Sequence, residues 1–311
     1  MLEVVRYKED HKTVWNAFVT SSKKGTFLFC RDYMEYHSDR FTDHSLLFFR
    51  KGKLIALLPA NKVGATLESH GGLSYGGFIT GISMKSGTML QVFEVLKSYL
   101  KDAGFAGLKY KVVPFIYHKY PADEDLYALF KMGATLVSRD LNAVIDLKHP
   151  LPYSKLRKRM LKKIIGVGLI LNRSYEFEKF MIMVAELLQS KYNLKPTHSI
   201  EELKQLAERF PEHIKLYCAS KNGEMLAGIL VYETATVAHC QYIGVTASGK
   251  ESGALDALIN NLLTIIYQHK QYFSFGISTE QQGKLLNENL LRNKESYGAR
   301  AVVHDTYELK F

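Results

Sequence analysis

The chain has 311 residues, of which 47% are hydrophobic and 23% are charged, and its formal net charge is +10. These values are typical of a soluble globular protein of about two domains. No apolar run reaches the ~18 residues that span a bilayer, and the charged N-terminal stretch "MLEVVRYKEDHK" lacks the apolar core of a signal peptide.

Cysteine usage and charge indicate the compartment and the partners. Cys30, Cys218 and Cys240 are odd in number and show no Cys-x-x-Cys spacing. This argues against a disulfide framework or a zinc site and predicts a cytoplasmic location. The positive charge predicts attraction to anions, which include nucleic acid, a nucleotide cofactor, a nucleotide-linked sugar and an anionic membrane face.

The first half of the chain predicts a succession of helices and strands. Two helices come first, over His11–Lys24 and Asp32–His37, followed by a hairpin that turns at Lys51-Gly52. The glycine-rich stretch "SHGGLSYGG" comes next, and it favours either a substrate-binding loop or a tight connection between strands. A helix over Gly87–Ala103, the strand "GLKYKVV", the helix "EDLYALFKMG" and the closing strand "ATLVSRDLNAVIDL" follow.

The second half repeats this order. Two prolines near "KHPLPYS" break the pattern and predict a boundary between a first domain, residues 1–150, and a second domain, residues 151–311. Helices are predicted over Glu176–Tyr192 and Ile200–Phe210, a hairpin turns at Asn222-Gly223, and a loop at Gly249–Gly253 leads into a helix over Ala254–His269. The buried strand "YFSFGIS", the helix "GKLLNENLLRNKESYG" closed by a left-handed Gly298, and the strand "AVVHDTYELKF" complete it.

Three signals recur in the same order about 165–171 residues apart. Ala56 and Ala227 follow a two-residue turn at the same place, Ser-Gly pairs at Ser86 and Ser252 open a long helix, and "MGATLVSRD" matches "YGARAVVHD". A nearly constant offset indicates a duplicated unit. The predicted fold class is therefore α+β, a mixed β-sheet flanked by helices and present twice.

The segment "SKLRKRMLKK" predicts a basic helix with Ser154 as its N-cap. Six of the nine residues from Lys155 to Lys163 are basic and none is acidic. Leu156, Met160 and Ile164 have the spacing of a buried stripe, and the opposite face carries Lys155, Lys158, Arg159, Lys162 and Lys163. This face suits the phosphates of a nucleotide, a tRNA acceptor end or lipid headgroups, or is an ordinary solvated surface. It contains no aromatic residue for base stacking, which argues against general RNA binding.

The duplicated layout resembles the GNAT acyltransferase fold present twice, the hallmark of the FemAB/FemX family. The resemblance is carried by "SHGGLSYGGFI", "LRKRMLKKIIGVGLIL", "FSFGISTEQQGKLLNENL" and "NKESYGARAVVHDTYEL", and with the layout it covers nearly the whole chain. The chain looks most like FemAB-like GNAT proteins of bacterial surface-polysaccharide loci. The family comprises aminoacyl-tRNA-dependent transferases that add amino acids to peptidoglycan precursors.

The resemblance implies a set of site residues. His70, Tyr75 and Gly76 would bind substrate from the first domain, and Arg157 and Arg159 of the basic helix would do so from the second. In FemX-like proteins a Phe-Lys pair precedes an aromatic-Gly pair, and the lysine stabilises negative charge during transfer. Lys294 followed by Tyr297-Gly298 fits this spacing, whereas Asn293 stands where the family has the aromatic residue.

The residues themselves predict chemistry at the same place. Strand ends that lead into helices are where α/β folds place ligands, and Ser278 and Glu280 lie at such an end. Asn287 and Lys294 are seven residues apart and share a helical face. We expect Ser278 and Asn287 to bind substrate, Lys294 to stabilise the oxyanion, and Glu280 to accept a proton from the attacking ammonium. The alternatives are a solvated Lys294 and a Glu280 that only caps the helix.

The donor is predicted to be acyl-CoA or aminoacyl-tRNA. GNAT enzymes that use acyl-CoA hold its pyrophosphate on a glycine-rich loop at a helix N-terminus, and Gly249, Lys250 and Gly253 stand at the corresponding place. The Gln/Arg-x-x-Gly-x-Gly/Ala spacing of that loop is not met. The long helical arm that many tRNA-using members carry is not evident either. No metal-binding motif occurs, so no metal is expected.

Together with these observations, the resemblance to the FemAB/FemX family implies an N-acyltransferase. It would move an acyl or aminoacyl group directly onto an amine of a cell-envelope precursor, an amino sugar or a peptidoglycan peptide, in an interdomain cleft. Its partners would be the anionic donor, the envelope-precursor acceptor and, peripherally, the inner membrane surface, without stable DNA binding. Two other classes stay open: a catalytically inactive GNAT pair that binds an envelope precursor or anionic partner, and a basic RNA-binding protein.

Overall fold

The computed structural model describes residues 2–311, and at residue 192 the main chain alone. The chain divides into two compact units. Unit 1 comprises the residues up to Leu141 together with Thr279–Leu286 and Val303–Phe311, and unit 2 comprises Asn142–Ser278 and Asn287–Val302. The predicted division into domains 1–150 and 151–311 stays a prediction.

Unit 1 follows the predicted order of helices and strands. Its elements are β1 (Leu2–Arg6), α1 (Lys12–Ser21), α2 (Arg31–Met34), β2 (Thr42–Asp43), β3 (Leu46–Arg50), β4 (Lys53–Leu58), β5 (Asn61–Val63), β6 (Thr66–Glu68), β7 (Ile79–Thr80), α3 (Ser86–Asp102), β8 (Gly107–Lys111), α4 (Glu124–Lys131) and the first part of β9 (Thr135–Asp146). Short 3₁₀ turns cover Glu9–His11, Phe27–Phe29, Glu35–His37 and Phe115–Tyr117.

Unit 2 repeats the pattern. The elements that follow β9 along the chain are α5 (Lys155–Ile164), β10 (Ile170–Ser174), α6 (Phe177–Tyr192), α7 (Ile200–Arg209), β11 (Ile214–Lys221), β12 (Glu224–Glu233), β13 (Val237–Val245), α8 (Ala247–Ser252), α9 (Ala254–Asn261), β14 (Tyr272–Ile277), β15 (Thr279–Glu280), β16 (Leu285–Leu286), α10 (Glu288–Glu295) and β17 (Arg300–Lys310). The hairpin of β15 and β16 belongs to unit 1, and β9 and β17 are divided between the units.

Each unit has its own hydrophobic core. In unit 1, β1, β3, β4 and β7 are neighbours in one sheet, and β6 pairs in parallel with β8, which pairs antiparallel with β17. In unit 2 the strand order is β10-β11-β12-β13-β14-β9. Within the described residues no helix has the length and apolarity needed to cross a membrane.

A long helix fills the same place in each core. The apolar face of α3 is buried through Met89, Val92, Phe93, Leu96 and Leu100. In unit 2, Leu258, Ile259, Leu262 and Leu263 are buried in the same manner. Burial of one such side chain stabilises the fold by about 1.5–3 kcal/mol, so these periodic positions fix the orientation of both helices.

The duplication predicted from the sequence extends to backbone detail. Both residues of the Lys51-Gly52 turn have positive φ (51° and 72°), as do both residues of the Asn222-Gly223 turn (53° and 80°). Two consecutive left-handed residues make a type I′ turn, which matches the twist of a hairpin. Ala56 and Ala227 are both fully buried on the second strand of their hairpins.

Three predicted elements differ from the structure. The predicted loop at Gly249–Gly253 is largely the helix α8, because the Oγ1 atom of Thr246 accepts from the Gly249 amide at 3.0 Å and caps it. The predicted helix over residues 254–269 is α-helical only to Asn261 and continues as a π-helical turn, Leu262–Ile266. The predicted helix over residues 283–298 is confined to α10, because Asn287 caps it.

Two glycines in the repeated segments "MGATLVSRD" and "YGARAVVHD" allow a test of the fold. Gly133 and Gly298 have φ values of +73° and +93°. A Cβ at Gly133 meets nothing within 4 Å, whereas one at Gly298 lies 2.5 Å from the carbonyl oxygen of Leu151. We expect G133A to lower the free energy of unfolding by about 1 kcal/mol through backbone strain alone, and G298A to lower it by about 3 kcal/mol. Urea denaturation measures both, and equal losses would contradict the close approach at Gly298.

Candidate active site

The parallel pairing of β13 and β14 ends early. In the described chain these strands pair over three positions, the last being His239 with Ser274. Strand β13 then continues along β12, while the register of β14 against β9 shifts between Ser274 and Ile277. Gly276 lies in this irregular stretch with a φ of +78°. Because the strands separate, the backbone of β14 needs hydrogen-bond partners from outside β13.

Lys294 supplies these partners. Its ammonium donates to the carbonyl oxygens of Gly276 at 2.9 Å and Ile277 at 2.7 Å, and to the Oγ atom of Ser278 at 2.9 Å. Lys294 is 7% exposed and Ser278 is 2% exposed. All three ammonium hydrogens are therefore used, and the burial excludes the alternative of a solvated lysine. The structure brings Lys294 and Ser278 together as neighbours.

Lys294 lies in a buried site, and burial is the main influence on its pKa. Burial lowers the pKa of Lys294 from 10.5 to about 8, and the nearby Cys240 thiol has a smaller, opposite effect. Burial likewise raises the pKa of Cys240 well above its usual range, so the thiol stays neutral. Within residues 2–311 Lys294 forms no ion pair with a carboxylate. A fixed cation in a water-poor site is the setting that stabilises a developing oxyanion.

Helix α10 holds Lys294 in place. The Oδ1 atom of Asn287 accepts from the amide of Leu290 at 3.1 Å and caps the helix. The amide of Asn287 donates to the carbonyl oxygen of Ser278 at 2.9 Å, which joins the helix start to the end of β14. Asn287 thus lies beside Ser278, and its cap sets the direction in which Lys294 faces.

A buried polar network anchors α5. Arg157 forms an ion pair with Asp256, and its Nε and Nη2 atoms donate to Ser296 Oγ at 3.2 and 2.9 Å. The guanidinium stacks on the ring of Tyr297, 4.0 Å from its centroid, and the Tyr297 hydroxyl donates to Asp256. The network joins α5, α9 and the end of α10. Arg157 therefore positions α5, and each of its three guanidinium nitrogens donates one hydrogen bond within this network.

The same network corrects the predicted faces of α5. Ser154 is the N-cap, as predicted, and its Oγ atom accepts from the Arg157 amide at 3.2 Å. However, Arg157 is buried and Leu156 is 57% exposed, so Leu156 is not part of a buried stripe. The hydrophobic pattern could not show this, because the inward position of Arg157 depends on an ion pair with Asp256, which is far along the chain.

The predicted cofactor residues lie in and beside α8. The amides of Gly249 and Lys250 are bonded to Thr246, and the amide of Gly253 donates to the carbonyl of Lys250 at 3.3 Å. Gly249 is buried, and a Cβ there would lie 2.1 Å from the carbonyl oxygen of Leu226. Lys250 is exposed. The backbone donors of this segment are thus used within the fold, and these glycines serve close packing.

The predicted substrate residues of unit 1 are buried. His70 is 3% exposed, and its φ is +47°. Its ring contacts the rings of His37 and Phe41. Burial lowers the pKa of His70 to about 3, and the neighbouring His37 lowers it further in the same direction. The Tyr75 hydroxyl donates to Thr26 at 3.2 Å. A Cβ at Gly76 would lie 2.2 Å from a backbone oxygen, so this position requires glycine. These three residues shape the loop "SHGGLSYGG".

The remaining predicted residues are exposed. Glu280 lies in β15 of unit 1, and Arg159 lies on the outer face of α5 in unit 2. Beside α5, unit 2 has an open cavity of about 680 Å³. Arg292 and Arg300 line it together with Arg157 and the helix start at Ser154. Four residues of this region were not predicted from the sequence: Arg292, Arg300, Asp256 and Ser296. Of these, only Asp256 was detectable, as an acidic residue inside an apolar helix.

The described residues contain no group of three or more His, Cys, Asp or Glu side chains arranged to hold a metal ion. Of the polar clusters, the one around Lys294 combines burial, an uncompensated charge and a strand end. It is the candidate active site.

The lowered pKa of Lys294 predicts a pH dependence of stability. Between pH 8 and pH 10.5 the unfolded chain binds more protons at this residue than the folded chain, so stability rises with pH in that window. Relative to K294M, wild-type protein should gain on the order of 3 kcal/mol across it. Urea denaturation of both proteins at several pH values gives the comparison. Parallel pH profiles would mean that Lys294 titrates as an exposed lysine.

The Arg157 network predicts unequal effects of two substitutions. R157M leaves the buried Asp256 carboxylate without its ion pair and should cost about 3–5 kcal/mol. Y297F removes one hydrogen bond to Asp256 while Arg157 remains, and should cost about 1–2 kcal/mol. Chemical denaturation with an unchanged m-value measures both. A smaller loss for R157M than for Y297F would contradict the assigned network.

The chain is similar in fold to several solved structures. The chain is similar to FemX, with a TM-score of 0.71 and 9% sequence identity over 99% of this chain and 97% of that one. It is similar to L-PGS from Bacillus licheniformis, with a TM-score of 0.61 and 13% identity over 96% of this chain and 91% of that one. It is also similar to a tandem GNAT protein from the clavulanic acid biosynthesis pathway, with a TM-score of 0.54 and 12% identity over 100% of this chain and 98% of that one. No family model and no curated protein matches the sequence. The predicted α+β fold of two tandem GNAT-like units is confirmed: the chain has the fold of FemX and of tandem GNAT proteins.

Proposed function

We propose that the protein transfers an acyl or aminoacyl group directly to an amine of a cell-envelope precursor, with Lys294 at the reaction centre. The observation that carries this proposal is the buried ammonium at the end of β14, which holds a positive charge without a carboxylate partner. The fold shared with FemX supports it, as does the similarity to the C-terminal domain of a putative lysylphosphatidylglycerol synthetase from Agrobacterium fabrum.

The reaction needs few protein groups. The amine nitrogen attacks the carbonyl carbon of an ester or thioester, a C–N bond forms, and the C–O or C–S bond to the leaving group breaks. The amine loses one proton and the leaving group gains one. The tetrahedral intermediate carries an oxyanion, and a nearby fixed charge or N–H donor lowers its free energy by several kcal/mol.

Lys294 acts through its charge and by fixing the strand end. Its three hydrogens are bonded to Gly276, Ile277 and Ser278, so the ammonium is already ordered before substrate arrives. Pre-ordering avoids reorganisation during the reaction. The separated edge of β13 adds backbone donors, because alternate residues of a strand direct their N–H groups away from β12.

Aminoacyl-tRNA is the better-fitting donor of the two predicted. The amides of Gly249, Lys250 and Gly253 are used within the fold, so these three donors are not available to the pyrophosphate of CoA. Arg292 and Arg300, at the cavity beside α5, offer cations for the phosphates of a tRNA acceptor end. We further propose Ser278 and Asn287 as contacts to the reacting groups.

A binding module without catalysis is the second candidate. It is favoured by the saturation of all three Lys294 donors and by the closed α8 segment. Such a protein would hold an envelope precursor and transfer nothing. Measured transfer, rather than measured binding, distinguishes it from the enzyme.

The deciding experiment supplies labelled aminoacyl-tRNA or labelled acetyl-CoA with envelope precursors that carry a free amine. We expect transfer from aminoacyl-tRNA, and a loss of about 10²–10³-fold in K294M because the oxyanion loses its fixed charge. K191M, which removes an exposed lysine of α6, is the matched control and should keep full activity.

Each other outcome is informative. Transfer from acetyl-CoA alone would reassign the donor. Saturable binding of precursor with no transfer from either donor would establish the binding module. Equal rates for K294M and wild type would remove Lys294 from the reaction centre.

A further inference from the structure

The strongest surface feature that the proposed function leaves unused is the outer side of α5. We define the cationic face by its five outward basic side chains, which are Lys155, Lys158, Arg159, Lys162 and Lys163. All five are exposed, and among the described residues none of them forms an ion pair or a side-chain hydrogen bond. From residue 147 to residue 175 the sequence contains no Asp or Glu. The positive charge of this face is therefore not balanced locally.

Two large apolar side chains flank the cationic face. Leu156 lies in the first turn of α5 and is 57% exposed, and Ile165 follows the last turn and is 83% exposed. A helix of ten residues is about 15 Å long, so the two side chains lie near opposite ends of the charged surface. Leaving an isoleucine almost fully in water is costly, and an apolar environment would recover that cost.

The helix is presented as a rigid surface. Arg157 attaches its inner side to Asp256 and Ser296, and the Ile164 side chain lies against Gly253, where a Cβ would meet it at 2.8 Å. These contacts hold α5 against the protein, and the cationic face lies on the opposite, outer side of the helix. A partner must match both the charge and the apolar ends.

We propose that the cationic face, with Leu156 and Ile165, docks on the surface of an anionic phospholipid bilayer. Clustered Lys and Arg residues are attracted to anionic headgroups, and neighbouring apolar side chains enter the boundary between headgroups and acyl chains. A bilayer offers both environments within a few ångströms. An acceptor that is part of the envelope would then be met at the membrane.

RNA and a second copy of the chain do not match both the positive charge and the exposed apolar side chains. The phosphates of RNA match the charge but give Leu156 and Ile165 no apolar environment, and α5 has no aromatic side chain for base stacking. A second copy of the chain would bring two cationic faces together, which like-charge repulsion opposes. The bilayer accounts for both features.

Co-sedimentation with vesicles tests the proposal. The full chain should bind phosphatidylcholine vesicles that contain phosphatidylglycerol, should not bind pure phosphatidylcholine vesicles, and should be released by added salt. Removal of one basic residue should weaken binding about fivefold, so the triple variant K158Q/R159Q/K162Q should bind about 100-fold more weakly. The matched control K85Q/K101Q/K131Q removes three exposed lysines of unit 1 and should bind as wild type does.

A fluorescence experiment tests the apolar contact separately. The sequence contains one tryptophan, Trp15, which is fully buried, so I165W introduces a single exposed reporter. We expect its emission to shift to shorter wavelength when phosphatidylglycerol vesicles are added, and not when tRNA is added. Circular dichroism of each variant confirms that the fold is retained.

Three outcomes would overturn the proposal. Equal weakening in the two triple variants would mean that only net charge matters. An unshifted emission of I165W on bound vesicles would exclude the apolar contact. Binding to tRNA that is lost in K158Q/R159Q/K162Q, together with no binding to vesicles, would identify the face as a nucleic-acid surface instead.

Discussion

The separation of β13 and β14 is the constraint on which the proposed site depends. A sheet that opens leaves backbone carbonyls without a neighbouring strand, and a buried carbonyl needs a donor. Lysine has three donors on a long side chain, and Lys294 uses all three at Gly276, Ile277 and Ser278. The protein thereby stabilises an open strand end and places a positive charge there with the same side chain. Structural and chemical roles coincide in one residue.

The site also requires that α10 keeps its position relative to β14. The cap at Asn287 fixes the start of α10, and Ser296 joins its end to Arg157. Asp256 then connects Arg157 to α9, and Tyr297 covers the guanidinium. Because this network also holds the inner side of α5, the basic helix and the buried lysine belong to one connected set of polar contacts in unit 2. A change at Arg157 would therefore reach both surfaces.

Local signals in the sequence were sufficient for much of the fold. Asn222-Gly223 and Lys51-Gly52 specify hairpins because both residues must adopt positive φ, and Ser154 specifies a helix start through its own hydroxyl. The side of α5 that is buried was not predictable in this way, since it depends on Asp256, about 100 residues away. The α8 helix was missed because glycine-rich composition suggests a loop, whereas Gly249 is needed for its close approach to Leu226. Lys294 was chosen by its spacing, but its three partners become visible only once β14 and α10 are in place.

The discontinuity of unit 1 has a consequence for the synthesis of the protein. Strand β8 pairs with β17, from Lys111 with Thr306 to Gly107 with Lys310, about 200 residues later in the chain. The ribosome completes residues 303–310 only after all of unit 2 has been made. Although most of unit 1 precedes unit 2 along the chain, unit 1 acquires this pairing only after unit 2 is made, and until then β8 presents an open strand edge in the growing chain. The nascent protein must therefore keep its N-terminal half soluble while its sheet is unfinished.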